Sequence, residues 1–280
     1  MGGTARSRAT HNLLKKNMKK SFPKIFILLI ISTLCMSHEF WLQPKKFMLQ
    51  PSEKTNVDVF VGENYEGKKV DASKFTISKM THYAKNIEED FISKVSTKDS
   101  VSIETQFSTE GNHLLAFNNT NKFIELKADK FIEYLRSEGL DNIIKLRKQQ
   151  GREKQAGREF YQRCVKTLFQ VGKNQDETFS KNTGMRLEII PQQNPYAEKE
   201  TIFKVLFDNQ VVKNALVLAW HHKNGKTTMV NQRSNAKGEV KFSIENQGRW
   251  MISTVRMIPI TDNPKADYQS FWGSYTFGFY

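Results

Sequence analysis

The chain has 280 residues and carries 43 Lys and Arg against 29 Asp and Glu, a formal charge of +14 at neutral pH. That length suffices for two ordinary domains, while two cysteines in the whole sequence exclude a disulfide framework. The basic residues are not interleaved with aromatics in a base-stacking pattern, which argues against a nucleic-acid binder.

In chain order, Lys15, Lys16, Lys19, Lys20 and Lys24 precede an aliphatic run from Ile25 to Leu34. A basic stretch followed by a short apolar core is the pattern of a secretory signal. The run falls short of the roughly 20 apolar residues a bilayer span requires, so no membrane span is expected after cleavage. Cys35 and Ser37 are small residues suited to a cut after Ser37. The expected organisation therefore begins with a signal peptide and upstream extension over 1–37, and His38 opens the mature chain. The signal region holds seven Lys and Arg and no acid; 36 basic against 29 acidic residues then leave a mature charge of +7. Cys164 is left without a partner for an intramolecular disulfide, and its apolar setting predicts a buried, inert thiol.

Residues 38–126 are expected to form an N-terminal β-sandwich. "KTNVDVFVG" alternates with Val57, Val59 and Val61 on one face, and "KFTISKM", "VSIETQF" and "NHLLAFNN" are further short strands. "GENYEG" (Gly62–Gly67) reads as a strand-ending turn, and His82 falls in a polar connection. Residues 127–172 have helical spacing, through Phe131, Tyr134 and Leu135, then Ile143, Ile144 and Leu146, then Phe160, Tyr161, Cys164, Val165 and Leu168, with Gly139 and Gly151 as helix ends. The expectation is a helical connector, its cluster Lys145, Arg147, Lys148, Arg152 and Lys154 covering a solvated face. After a polar linker, residues 186–280 read as a second, immunoglobulin-like sandwich. Its hairpin signal is Asn224-Gly225, its turns are Lys237-Gly238 and Gln247-Gly248, and "SFWGSYTFGFY" is the last core strand. The fold class is thus mainly β, two sandwiches joined by a short helical connector.

Six separated segments, "SHEFWLQPKKFMLQPSEKTNVDVFVGENYEG", "FIEYLRSEGLDNI", "FYQRCVKTLFQVG", "MRLEIIPQQNPY", "GEVKFSIENQGRWMISTVRM" and "DYQSFWGSYTFGF", together resemble the DUF4198 family of exported bacterial proteins. Some members are described as periplasmic components of cobalt or nickel uptake. The resemblance implies β-sandwich domains, a periplasmic setting and divalent-metal handling, with an inner-membrane transporter as partner. Arg256 stands where the resemblance would place a histidine, so no metal role is carried over to that position.

The chemistry of His38 is consistent with this. An N-terminal histidine offers its α-amine, with an ordinary pKa of about 7.7–8.0, and its imidazole as one chelate. Such nitrogen donors suit Ni, Co, Cu and Zn rather than Ca or Mg. Glu39 adds an oxygen ligand or orients the imidazole. His221 and His222 are the further candidate ligands, although adjacent residues on a strand face opposite ways. "HEF" lacks the spacing of a zinc-protease helix, and no P-loop, nucleophile elbow or dinucleotide fingerprint occurs, so no enzyme is expected. The competing expectation is a non-enzymatic envelope module that holds a protein or glycan partner.

Overall fold

The computed structural model describes residues 1–3, 39–71, 73 and 76–280, so the expected signal and His38 lie outside the described residues. From Glu39 the chain forms β1 (Glu39–Pro44), β2 (Met48–Leu49), β3 (Lys54–Glu63), β4 (Glu66–Lys69), β5 (Ile77–Ala84), β6 (Ile87–Asp90), β7 (Val95–Ser96), β8 (Ser102–Gln106), β9 (Gly111–Asn119) and β10 (Lys122–Leu126). Two helices follow, α1 (Ala128–Ser137) and α2 (Asp141–Gln149), and then the long strand β11 (Gly157–Val171). The rest is β12 (Leu187–Pro191), β13 (Glu200–Phe207), β14 (Gln210–Val211), β15 (Leu216–Lys223), β16 (Lys226–Arg233), β17 (Glu239–Ser243), β18 (Arg249–Pro259) and β19 (Tyr268–Gly278). The protein is mainly β.

These strands build three sheets. A ten-stranded sheet runs β16-β15-β18-β19-β11-β9-β5-β6, with β10 and β2 also paired to β11. A five-stranded sheet (β1-β3-β8-β7, with β4 on β3) covers part of one face, and a four-stranded sheet (β12-β13-β14, with β17 on β13) covers the other. Alternation along β11 explains the layering. Val165, Phe169 and Val171 enter the core shared with Phe40, Leu42, Val57 and Val59 of the five-stranded sheet. Cys164 and Leu168 point the opposite way, into the core shared with Leu187, Ile189, Phe203 and Val205 of the four-stranded sheet.

This corrects the expected connector. Its first part is helical as expected, with Phe131, Tyr134, Leu135 and Ile143 buried, but 157–171 is strand. A strand covered on both faces lacks the polar–apolar alternation of a half-buried one, and over a short run it cannot be told from a buried helix by periodicity. β11 also pairs parallel with β19, Glu159↔Tyr268 through Thr167↔Thr276, and antiparallel with β9, so it fuses the two β-rich halves edge to edge. Arg147 departs from the solvated basic cluster. It is buried and donates from Nη2 to the carbonyls of Arg152 and Gln155, with its guanidinium 4.8 Å from the Phe131 ring centre.

The turn expectations hold. Asn224 and Gly225 take left-handed φ values of 51° and 71° and close the β15–β16 hairpin, with Lys223 opposite Lys226. "GENYEG" is likewise a hairpin turn between β3 and β4, with Asn64 and Tyr65 at φ 55° and 57°. Cys164 is buried and free, and burial pushes its thiol up to about 11, so the inert reading stands.

Candidate functional site at the start of β1

Strand β1 pairs with β3 along one edge only, Glu39↔Gly62 through Pro44↔Val57. Along its other edge the carbonyls of Phe40 and Leu42 accept hydrogen bonds from the hydroxyls of Ser274 (2.8 Å) and Thr276 (2.9 Å) on β19. These side chains complete the backbone hydrogen bonding of a strand laid over the large sheet. The entry of β1 is thereby fixed, and Glu39 is carried into the interior.

The Glu39 side chain lines a small pocket together with Glu138, Ser253, Thr254, Val255, Trp272 and Ser274. Burial pushes its carboxyl up to about 8, and the nearby charge of Glu138 acts in the same direction. Glu138 caps the C-terminus of α1, the negative end of the helix dipole, where an acid gains nothing from the helix and a cation would. A third acid, Glu159, stands close by. Its Oε1 accepts from Ser270 Oγ at 2.9 Å and from the Tyr134 hydroxyl at 3.4 Å, while its Oε2 is buried without a hydrogen-bond partner among the described residues. Burial pushes Glu159 up to about 7.

Among the described residues, the Arg163 guanidinium acts on both Glu39 and Glu159. The Arg163 guanidinium lies 4.6, 5.3 and 5.5 Å from the ring centres of Trp272, Tyr161 and Phe40, a cage of π-faces that compensates part of its lost hydration. Burial pulls its pKa down, and Glu159 and Glu39 partly restore it. Glu39 and Glu159 both act on the Arg163 guanidinium, and burial leaves both carboxyls near neutrality in their titration.

The other histidines are not brought here. His221 lies flat on Trp250, ring centres 4.0 Å apart, with Nε2 2.8 Å from the Gln247 carbonyl. His222 points to the opposite face, its Nδ1 2.9 Å from Thr227 Oγ1. Ser253, at the Glu39 pocket, pairs with Leu218, and His222 lies four residues farther along β15, about 13 Å at the rise of a strand. Among the described residues no group of three or more His, Cys, Asp and Glu is arranged to hold a metal ion. Among the described residues lining this pocket, the carboxylates are those of Glu39 and Glu138; His38 lies outside the described residues. His82 departs from its expected polar connection: it is buried in β5 against Phe91, Phe107 and His113.

Arg163 and Glu159 were not legible as site residues. Their only sequence signal is that ionisable side chains sit at Glu159 and Arg163, positions that share one face of an otherwise buried strand.

No helix among the described residues is long and apolar enough to cross a membrane. Comparison with known proteins finds one family profile, described as "Domain of unknown function (DUF4198)", over residues 35–257. No curated protein matches. Among solved structures, the trypsin-activated alpha-2-macroglobulin of Escherichia coli matches 87% of this chain at 7% identity and a TM-score of 0.21. The three N-terminal domains of the bacteriophage RB49 outer capsid protein Hoc match 87% of it at 7% identity and a TM-score of 0.20. The chain spans 16% of the macroglobulin and 71% of the capsid fragment, and likenesses this weak carry no argument.

Proposed function

Because the chain belongs to the DUF4198 family, we propose that it is an exported, periplasmic, non-enzymatic protein that binds a transition-metal ion of the Ni, Co or Cu class at the start of β1 and delivers it to an inner-membrane uptake system. The observation that carries this reading is the buried Glu39 carboxyl, which shares a small pocket at the start of β1 with a second acid, Glu138. His38 supplies imidazole and, once the signal is removed, an α-amine beside that carboxyl; nitrogen donors of this kind select late first-row metals. Glu39 completes the set with oxygen. His221 and His222, held on Trp250 and Thr227, lie outside it. The two β-rich halves are read as immunoglobulin-like sandwiches that share the ten-stranded sheet.

The test is calorimetric titration of Ni, Co, Cu and Zn into protein whose first residue mass spectrometry confirms as His38. Protein with one extra N-terminal residue and the Glu39→Gln variant are the comparisons. Stoichiometric binding that weakens in both comparisons is the expected result. Absence of binding by the His38 protein, or equal binding by all three, would overturn the reading.

A further inference from the structure

The ten-stranded sheet ends in two edges that are guarded very differently. At one end, β6 is a four-residue strand whose Glu88, Glu89 and Asp90 are exposed. Short length and like charge are the ordinary protection of an open edge. At the other end, β16 is eight residues long and exposed almost throughout, and it carries no charge from Thr227 to Gln232. At its centre Met229 and Val230 are 44% and 57% exposed, and no strand among the described residues pairs with its outer side. We propose that β16 is a self-association edge, pairing antiparallel with β16 of a second copy about a two-fold axis at Val230. This is independent of the metal reading.

The hydrogen-bond pattern fixes which pairings are possible. Ser234 donates its N–H to the Ala215 carbonyl, and its own carbonyl accepts from Asn214 N–H, so the polar backbone groups of Ser234 face inward, toward β15. By strand alternation Gln232, Val230 and Thr228 also face inward, and those of Thr227, Met229, Asn231 and Arg233 point out to the free edge. An incoming antiparallel strand must match outward residues with outward residues. That rule forbids the register that sets Lys226 opposite Arg233, and Lys226 or Arg233 meets its own counterpart only where the two strands overlap by a single residue. A permitted register places Val230 opposite its own counterpart, Met229 opposite Asn231 and Thr227 opposite Arg233.

The charge placement favours a copy of this chain as occupant. Arg233 is already paired with Asp141 at 2.8 Å and donates from Nη1 to the carbonyls of Gly139 and Asn214, so the strand's basic end is neutralised within its own subunit. The Gln232 side chain is held by β17, its Nε2 donating to the Lys241 carbonyl at 2.6 Å and its Oε1 accepting from the Lys241 N–H at 3.2 Å. The self-paired Val230 residues occupy a non-hydrogen-bonded position, where side chains are closest and β-branched pairs pack best.

The test combines mass and register. Sedimentation velocity of the full chain across a wide concentration range is expected to show a reversible dimer. Val230→Lys sets two like charges face to face on the axis, and at a site this exposed it leaves the circular dichroism spectrum and thermal midpoint unchanged; it is expected to weaken the dimer about tenfold or more. Opposed Cα atoms at a non-hydrogen-bonded pair lie about 4.5 Å apart, within disulfide reach. Val230→Cys should therefore cross-link under mild oxidation while Thr228→Cys, displaced from the axis, does not; the native Cys164 is buried and silent. A monomer at every concentration would overturn the proposal. So would a dimer that Val230→Lys leaves intact, or equal cross-linking by both cysteine variants.

Discussion

The Nε2 of His82 lies 2.8 Å from the Nδ1 of His113, and the two imidazoles are the middle of a chain that runs from a carboxylate to a backbone carbonyl. His82 Nδ1 is 3.0 Å from Glu89 Oε1, and His113 Nε2 is 2.9 Å from the Thr109 carbonyl. Each of these three contacts needs one N–H, and two neutral imidazoles carry two. With Glu89 ionised, His82 donates to it and His113 donates to His82. His113 Nε2 then has only the Thr109 hydroxyl, at 3.4 Å, as a donor. A third proton would complete the chain, yet it would place a charge among Phe91, Phe107 and His82. Burial decides the balance: it pulls both rings down, His113 to about 4, against the opposing pull of Thr109, Asp176 and Glu89.

The folded chain thus refuses a proton that the unfolded chain takes up near pH 6.5. The stability held in the pair is full above that pH and is lost as pH falls toward 4. Between pH 7 and pH 5 the loss is about 2 kcal/mol at about 1.4 kcal/mol per pH unit. Urea melts of the wild type and of His113→Gln at the two pH values measure it as a difference, which cancels the other titrating groups. Equal pH dependence in the two proteins would show that the pair is not held neutral.

Glu159 runs the other way. Its carboxyl is raised from 4.5 to about 7, so the stability it contributes is full below pH 4.5 and falls as pH rises through 7. Glu159→Gln keeps the shape, can keep the contacts to Ser270 and Tyr134, and removes the charge. The variant is expected to gain on the wild type by up to about 3 kcal/mol as pH rises from 4.5 to 8. Thermal midpoints at pH 5 and pH 8 check this. A constant difference would mean that the carboxyl ionises freely in the folded protein.

Legibility followed exposure on one face. The hairpins at Asn224-Gly225 and "GENYEG", the turn at Lys237-Gly238 and the first helices could be read because their polar and apolar residues separate cleanly in sequence. β11 could not, since both its faces are covered and Cys164, Val165 and Leu168 satisfy either period. His82 was misplaced for a related reason. It sits between polar neighbours in "KMTHYAKN", yet the aromatic rings that bury it come from Phe91 and Phe107, distant in sequence. Of the candidate site, Glu39 was legible from its place next to the expected N-terminus. The partners that set its charge arrive from α1 and β11 and leave no local pattern.

Lys166 and Glu188 form an ion pair buried between the ten-stranded and four-stranded sheets, the two side chains 2% and 1% exposed. Glu188 Oε1 also accepts from the backbone N–H groups of Thr183 and Met185 and from the Thr183 hydroxyl. The two partners are therefore not equivalent. Lys166→Met leaves a carboxylate that still has three donors, and costs about 3–5 kcal/mol as a broken buried pair. Glu188→Leu strands the ammonium and two amides together and is expected to cost more. Combining the two is not expected to restore stability, because the amides of Thr183 and Met185 stay without an acceptor. Chemical denaturation of the three variants tests the order, and a fully stable double variant would refute it.

Tyr65 ties the β3–β4 hairpin to the other half of the molecule. It occupies a left-handed conformation, φ 57°, that is uncommon for a large aromatic side chain, so the turn holds it there against its backbone preference. What compensates is packing. The ring is fully buried with Trp41, Trp220 and Met251, meets Trp41 edge-on at 5.2 Å and lies 5.0 Å beneath the Arg249 guanidinium. Its hydroxyl donates to the Trp250 carbonyl at 3.3 Å. Tyr65→Phe removes the hydroxyl's contacts to the Trp250 carbonyl and the Arg249 guanidinium while keeping the ring, and should cost about 1–2 kcal/mol. Tyr65→Ala empties the aromatic cluster and should cost about 3–5 kcal/mol. Trp41 is two residues from Glu39 on the same strand, so the cavity also loosens the start of β1. Hydrogen exchange should accordingly show faster exchange of the β1 amides in Tyr65→Ala than in Tyr65→Phe. Equal protection of β1 in both variants would show that the hairpin and the Glu39 pocket are mechanically separate.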